Sequence, residues 1–445
     1  MRVCGIGPAR TRRSASLAVG VATLALLTAA CGGGSGSSSE ITDAEGDVSA
    51  DGEKLTVWIM EGTNPDAGPY VDDLSAAFEE ETGATLDVQF VPWAEAHDKF
   101  VNSIAGGTTP DVAEVGTTWT PEFADAGALT DLTDVVSEAD LESDLVPGLV
   151  EAGTVDEGLY GMPWYAGVRS VVYRTDVFEK AGVEPPTSWD ELVEVGEQIE
   201  KSDPDLLTFP VAGDSEYGVY PFIWGNDGDI AQQDGDSWTS TIDSPEAQEG
   251  ITFYTDLAKK HGFSSPAATT WDEADLSDAF SRGDVAMMIA GSWTPGALTE
   301  ANPDLEGKIG AFPIPGPDGG VSPSFLGGSH LSVFETAENK DLAWALVKLM
   351  STGELAQEWS QQSGFFPGTE TLLNEVQEAD DPVVAPFATQ MVEGGASLPV
   401  TPLYGQVQGK KTVAAMLQSI LSGDSSVADA SAQAAQEMDE IFSRG

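Results

Sequence analysis

Cationic side chains are scarce in this sequence. Only 19 lysines and arginines face 74 aspartates and glutamates, a formal net charge of −55 over 445 residues. Such a surface repels nucleic acid and has no electrostatic hold on anionic lipid. Cysteine is nearly absent: Cys4 and Cys31 are the only two, and a chain so poor in cysteine has no disulfide framework and no thiol nucleophile to spare. The three histidines, His97, His261 and His330, lie far apart. They form no HExxH pair, and no GxSxG elbow, phosphate-binding loop or Cys/His metal spacing occurs. The acids of "NDGDIAQQDGD" miss the spacing of a calcium loop. The sequence therefore predicts no metal and no cofactor, and leaves paired carboxylates among its 74 acids as the one catalytic arrangement that counting does not exclude. After residue 30 there is no long apolar run, so no membrane span is expected in the body of the chain.

What is present begins at the N-terminus. Arg2, Arg10, Arg12 and Arg13 precede the apolar run Leu17–Ala30, "LAVGVATLALLTAA". Its length suits a signal peptide and is too short to cross a bilayer. The run ends at Cys31 in "LLTAACGGG". This resembles a bacterial lipobox, with Ala29 and Ala30 as the small residues before the cysteine and Thr28 where leucine is usual. Residues 1–30 are thus expected to be cleaved, and two acyl chains on Cys31 suffice for stable anchoring outside the cytoplasmic membrane. Cleavage removes four arginines and no acid, taking the net charge from −55 to −59. Residues 31–53, "GGGSGSSS" followed by an acidic stretch, read as a flexible tether.

From Lys54 the pattern alternates between strand and helix. Leu55, Val57 and Ile59 mark a strand; Tyr70, Leu74, Ala77 and Phe78 mark a helix over 67–82 that stops at Gly83. A strand over 85–90, a helix over 93–105 and a strand over 111–115 follow. This order predicts an α/β sheet with parallel crossovers. Later, "SWDE" at 188–191 has the form of a capping box, and Ser244-Pro245 opens another helix. The residues beyond 339 are mostly helical in pattern. A chain of this length predicts two domains.

At this point the fragments "KLTVWIM", "FEEETGATLDVQFVPW", "AGGTTPDVAEV", "EGLYGMPWYAGVRSVVYRTDVFEKAGVEPPTSWDELVEVGEQI", "FSRGDVAMMIAGSW", "IGAFPIPGP", "GGSHLSVF" and "QQSGFFPG" resemble the extracellular solute-binding proteins of sugar ABC importers, the class of the maltose-binding protein. The resemblance runs from Lys54 to the C-terminus. It implies an α/β, two-lobed periplasmic-binding-protein-like fold of the type II, Venus-flytrap kind, with a multi-strand hinge. Residues 54–166 plus 314–365 would form lobe I, and 167–313 plus 366–445 lobe II. It further implies a monomer that closes on a carbohydrate between its lobes and delivers it to ABC permease subunits.

A sugar offers hydroxyls and an apolar C–H face, so its site needs aromatics beside planar polar groups. Eleven tryptophans are many for this length, and several fall at strand ends, where ligand groups collect in open α/β sheets. By position the resemblance implies Trp293 as a stacking residue and Thr118 and Trp119 as contacts of the first lobe. Trp164 and Tyr165 precede the lobe crossing. Glu216, Tyr217 and Trp224 mark a contact region in the second lobe. Glu61 ends the first strand as a hydroxyl acceptor, and Arg169 offers a fork of donors. Gly328 and Ser329 lie where backbone would approach a ligand, and Phe366 and Tyr404 complete the set. Trp189, Trp344 and Trp359 read as packing residues. Two other readings stay open from the residues alone: a binding protein for a peptide, polyamine or osmolyte, and a secreted glycoside hydrolase.

Overall fold

The computed structural model describes residues 40–444 except Pro65, Asp236, Ala379 and Asp380. The expected signal peptide, Cys31 and the Gly/Ser stretch lie outside the described residues. The first strand, Lys54–Glu61, sits between Thr85–Pro92 and Val112–Gly116 and is parallel to both. Val57, Trp58, Ile59 and Met60 are all buried, because a parallel strand with helices on each side is covered on both faces. The crossovers are the helices Ala67–Thr82 and Trp93–Gly106. The first stops where the sequence placed its end: Gly83 takes the left-handed conformation at φ 75° and caps Glu79.

One strand organises the rest. Met162–Arg174 is thirteen residues long, with no exposed position. Its first half pairs antiparallel with Ser324–Val333, which continues to Val112–Gly116, and with Phe366–Pro367. Its second half pairs antiparallel with Met287–Gly291 and Ile309–Phe312. The strand therefore contributes to three apolar cores. Met162, Trp164 and Tyr165 join Tyr70, Phe78 and Trp344. Val171 joins Trp189, Phe222 and Tyr254. Ala166, Val168 and Val172 join Phe280, Met288 and Phe387. The sequence order predicted parallel crossovers, and the first three strands are arranged so. The neighbours of residues 169–174 are instead antiparallel, because they return to a strand that arrives from the first half.

Two local expectations change. Ser188 does cap the helix Trp189–Ser202 by accepting the Glu191 N–H at 3.3 Å. The box stays half closed: the Glu191 carboxylate accepts the N–H and hydroxyl of Thr187, each at 2.8 Å. The described part of the proposed tether, residues 40–53, is docked and not free. Trp344 Nε1 donates to Ala44 O at 3.0 Å, Lys348 Nζ to Glu45 O at 3.0 Å, and Ala50 N to Thr82 O at 2.7 Å. Ile41, Ala44 and Val48 pack on the first core, so apolar residues spaced among the acids hold the segment down.

Candidate functional site

Arg169 stands at the centre of the crossing strand, 6% exposed. Its guanidinium lies 3.8 Å over the Tyr217 ring, 5.3 Å from Trp293 and 5.8 Å from Phe325. Nε and Nη2 donate to the two oxygens of Glu273 at 2.6 and 2.9 Å. Burial disfavours the charged guanidinium, but Glu273 outweighs it and the pKa is raised. The fork that the sequence assigned to a ligand is thus spent on Glu273, and Arg169 is a support.

Trp293 follows the strand Met287–Gly291 and begins the helix Thr294–Ala301. Its ring is half-buried and stacks on Phe365 at 4.4 Å and 12°. It also covers Gly167, where a Cβ would meet the indole at 2.6 Å and Phe365 at 2.8 Å. Only a glycine on the crossing strand lets the two rings in. A hollow of about 270 Å³ opens beside Trp293, lined also by Glu273, Ser277, Ile289 and Thr294.

Glu216 is 9% exposed and accepts Gln408 Nε2 at 2.8 Å. Burial raises its pKa, against the lowering effect of Gln408. Tyr217 stacks on Phe325 at 5.2 Å and 15°. Arg169, Glu216, Tyr217 and Trp293 are therefore one cluster, as expected, with Phe325, Phe365, Glu273 and Gln408 added. Nothing in the pattern around Gln408 singled it out.

Other expected residues are elsewhere. Glu61 is exposed, and among the described residues no hydrogen bond or ion pair links it to this cluster. Trp224 turns to Tyr220 at 5.2 Å and ends its N–H on Asp229 at 3.3 Å. Tyr404 is buried with its hydroxyl 3.0 Å from that of Tyr220. Trp164 is 1% exposed and stacked on Trp359 at 4.4 Å, a core residue. Tyr165 and Ser329 are buried, and both hydroxyls donate to Glu114. Phe366 is buried opposite Ala166, and its neighbour Phe365 is the ring that reaches Trp293. Trp164 and Tyr165 are neighbours on one strand and both are buried, because the strands Met162–Arg174 and Ser324–Val333 are covered on both faces. Gly328 has the role of close approach, but to protein: a Cβ would lie 2.0 Å from the Tyr165 carbonyl.

Thr118 and Trp119 are half-buried just beyond the strand Val112–Gly116. Trp119 packs on Trp93 at 5.5 Å and edge-on to His97 at 5.4 Å. His97 Nε2 lies 2.8 Å from Glu122 Oε2, whose hydrogen bond raises the imidazole pKa. A Cβ on Gly405 would be 3.1 Å from Glu122 Oε2 and 3.9 Å from Trp119, so the helix Tyr404–Gly409 closes against this corner. Trp93, 37% exposed, was not among the expected site residues.

A family model described as bacterial extracellular solute-binding protein matches residues 62–355. The diacetylchitobiose binding protein DasA of Streptomyces coelicolor is 29% identical over 436 residues, covering 96% of this chain and 98% of the relative. An arabinooligosaccharide-binding protein of Halalkalibacterium halodurans is 25% identical over 331 residues, 71% of each chain. Among solved structures, an ABC transporter solute-binding protein of Thermotoga lettingae bound to α-D-tagatose superposes with a TM-score of 0.77 at 28% identity, over 88% of this chain and 100% of its own. The sugar-binding protein MalE of Xanthomonas citri gives 0.78 at 24%, over 88% and 98%. The fold is thus the two-lobed α/β fold of these binding proteins. No helix among the described residues is long and apolar enough to cross a membrane.

Proposed function

Because this chain belongs to the bacterial extracellular solute-binding proteins, we propose that it captures a saccharide, of oligosaccharide size, and hands it to an ABC permease. The observation that carries this reading is the stack of Tyr217, Arg169, Trp293 and Phe365 beside Glu216, Gln408 and Glu273. Aromatic faces suit the C–H side of a sugar ring, and the carboxylates and amide suit its hydroxyls. The relatives that bind diacetylchitobiose and arabinooligosaccharides support it. In the structure these faces lie against one another, so entry of a ligand requires them to part. A ligand with better contacts in the closed arrangement then selects it. A lipid on Cys31 would hold the protein at the outer face of the membrane as a monomer.

A thermal-shift screen tests the class. Oligosaccharides, N-acetylated and neutral, are expected to raise the melting temperature without being cleaved. A rise with polyamines, osmolytes or peptides and none with saccharides would move the site to those solutes, and turnover would make it a hydrolase. For the saccharide that binds, Trp293→Ala is expected to weaken affinity about tenfold, the loss of one stacking face. The ring is half-buried, so the variant should keep its fold. Calorimetric titration giving an unchanged Kd would remove Trp293 from the site.

A further inference from the structure

The hollow beside Trp293 has a neighbour. A second hollow, of about 350 Å³, shares Glu273 and Ala274 with it as a common wall. The two differ in chemistry. The first is otherwise lined mainly by apolar side chains, Met288, Ile289, Ala290 and Ala297 among them. The second is polar, with Asp214, Glu216, Tyr217, Gln408 and Lys411 around it. Gln408 Nε2 donates to Glu216 at 2.8 Å and to the Tyr217 hydroxyl at 3.4 Å, so this wall is tied to the ring on which Arg169 rests.

Lys411 is held at this hollow against its own preference. Its backbone is left-handed, at φ 56° and ψ 38°, just before the helix Thr412–Ser422. Glycine takes that conformation freely, and asparagine or aspartate is eased into it by local hydrogen bonds. A lysine has no such relief and is strained there. From this position Nζ donates to the two carboxylate oxygens of Asp214 at 3.1 and 2.9 Å. The Lys411 side chain is 66% exposed and that of Asp214 25%, and so open a pair adds little to stability. Stability therefore does not account for a lysine at this place.

Recognition does. A hydroxyl both donates and accepts, and an ammonium beside a carboxylate answers both needs. Lys411 has three N–H donors and gives two of them to Asp214, which leaves one for a hydroxyl oxygen. Asp214 keeps lone pairs for a hydroxyl hydrogen. Two neighbouring hydroxyls on one sugar ring can thus be held together, one by each partner. We propose that the Asp214–Lys411 pair grips vicinal hydroxyls of a second sugar ring, seated in this hollow next to the ring at Trp293. The proposal rests on the saccharide reading above and makes the ligand at least a disaccharide.

The test titrates wild type and Lys411→Gly calorimetrically with three pairs of saccharides: N,N′-diacetylchitobiose and N-acetylglucosamine, arabinobiose and arabinose, maltose and glucose. The wild type is expected to bind one disaccharide at least about tenfold more tightly than its own monosaccharide. Lys411→Gly should weaken that disaccharide about tenfold, the loss of one charged hydrogen bond, and so erase the advantage. Glycine also relieves the backbone, so the urea midpoint of the variant should be unchanged or higher. A lowered midpoint would make Lys411 a structural support and overturn the proposal. A wild type without the advantage, or a variant that keeps it, overturns it as well. If the wild type binds none of the six, the grip fails, and the thermal-shift screen above decides the saccharide reading separately.

Discussion

Arg169→Ala is expected to lower the folding free energy by about 3 kcal/mol, the lower end of the cost of breaking a buried ion pair. Two features set that magnitude. The Arg169 side chain is 7% exposed and its partner Glu273 34%, so the carboxylate left behind is partly solvated and its penalty is reduced. The alanine also empties the space among Tyr217, Trp293 and Phe325, and those rings lose the cation on which they rest. Lysine keeps the charge but lacks the two-pronged geometry that meets both oxygens of Glu273, so Arg169→Lys should lose about half as much. Replacing both partners, as Arg169→Met with Glu273→Gln, should recover most of the loss, because no buried charge is then unpaired. Urea unfolding at pH 7 measures all three. An alanine variant within about 1 kcal/mol of the wild type would show that the pair does not hold this site together.

Acid is expected to destabilise the protein through His330. Its Nε2 lies 2.9 Å from the Leu149 carbonyl and its Nδ1 2.8 Å from the Thr120 hydroxyl. A carbonyl only accepts, so Nε2 carries the hydrogen and Nδ1 takes the one from Thr120. The ring is fully buried, and burial lowers its pKa from 6.5 to about 4 despite the Leu149 bond. Between these values the unfolded chain binds a proton that the folded one refuses, so stability falls as the pH falls. The contribution is complete above pH 6.5 and about 3 kcal/mol of it is gone by pH 4. Glu114 acts in the opposite direction: its pKa, raised by burial, makes folding less favourable as pH rises from 4.5 to about 7. Each effect is isolated by comparing the protein with its own variant. The stability gap between wild type and His330→Gln should narrow by about 3 kcal/mol between pH 7 and 4, and a constant gap would refute the assignment.

The first lobe was legible because its punctuation is local. Leu55, Val57 and Ile59 announce a strand, and Gly83 ends the helix that follows; neither needs knowledge of distant residues. The place of Trp293 just past a strand end was legible in the sequence, and the structure puts it in one cluster with Arg169 and Tyr217. Trp164, expected at the site, is buried, and Trp93, not expected there, is exposed. Both stand at strand ends, but which side of a strand meets the core depends on what packs there, and Trp359 claims Trp164. Arg169 looked free because its partner is 104 residues away. Glu114 was hidden among 74 acids, since nothing local distinguishes a buried carboxylate from a solvated one. The docking of residues 40–53 was hidden for a related reason: acidic composition masked the three apolar residues that hold it.

The strand Met162–Arg174 belongs to three cores at once, and this bears on how the protein comes apart. A body joined by a loose linker can lose one half to heat while the other survives. Here the halves have their central strand in common, so fraying it exposes Trp164, Val168 and Val171 together and withdraws support from every neighbouring strand. Cleft opening must therefore bend this strand without unpairing it. Melting is left as a single cooperative event, and a protease meets an intact central strand until the whole body has gone.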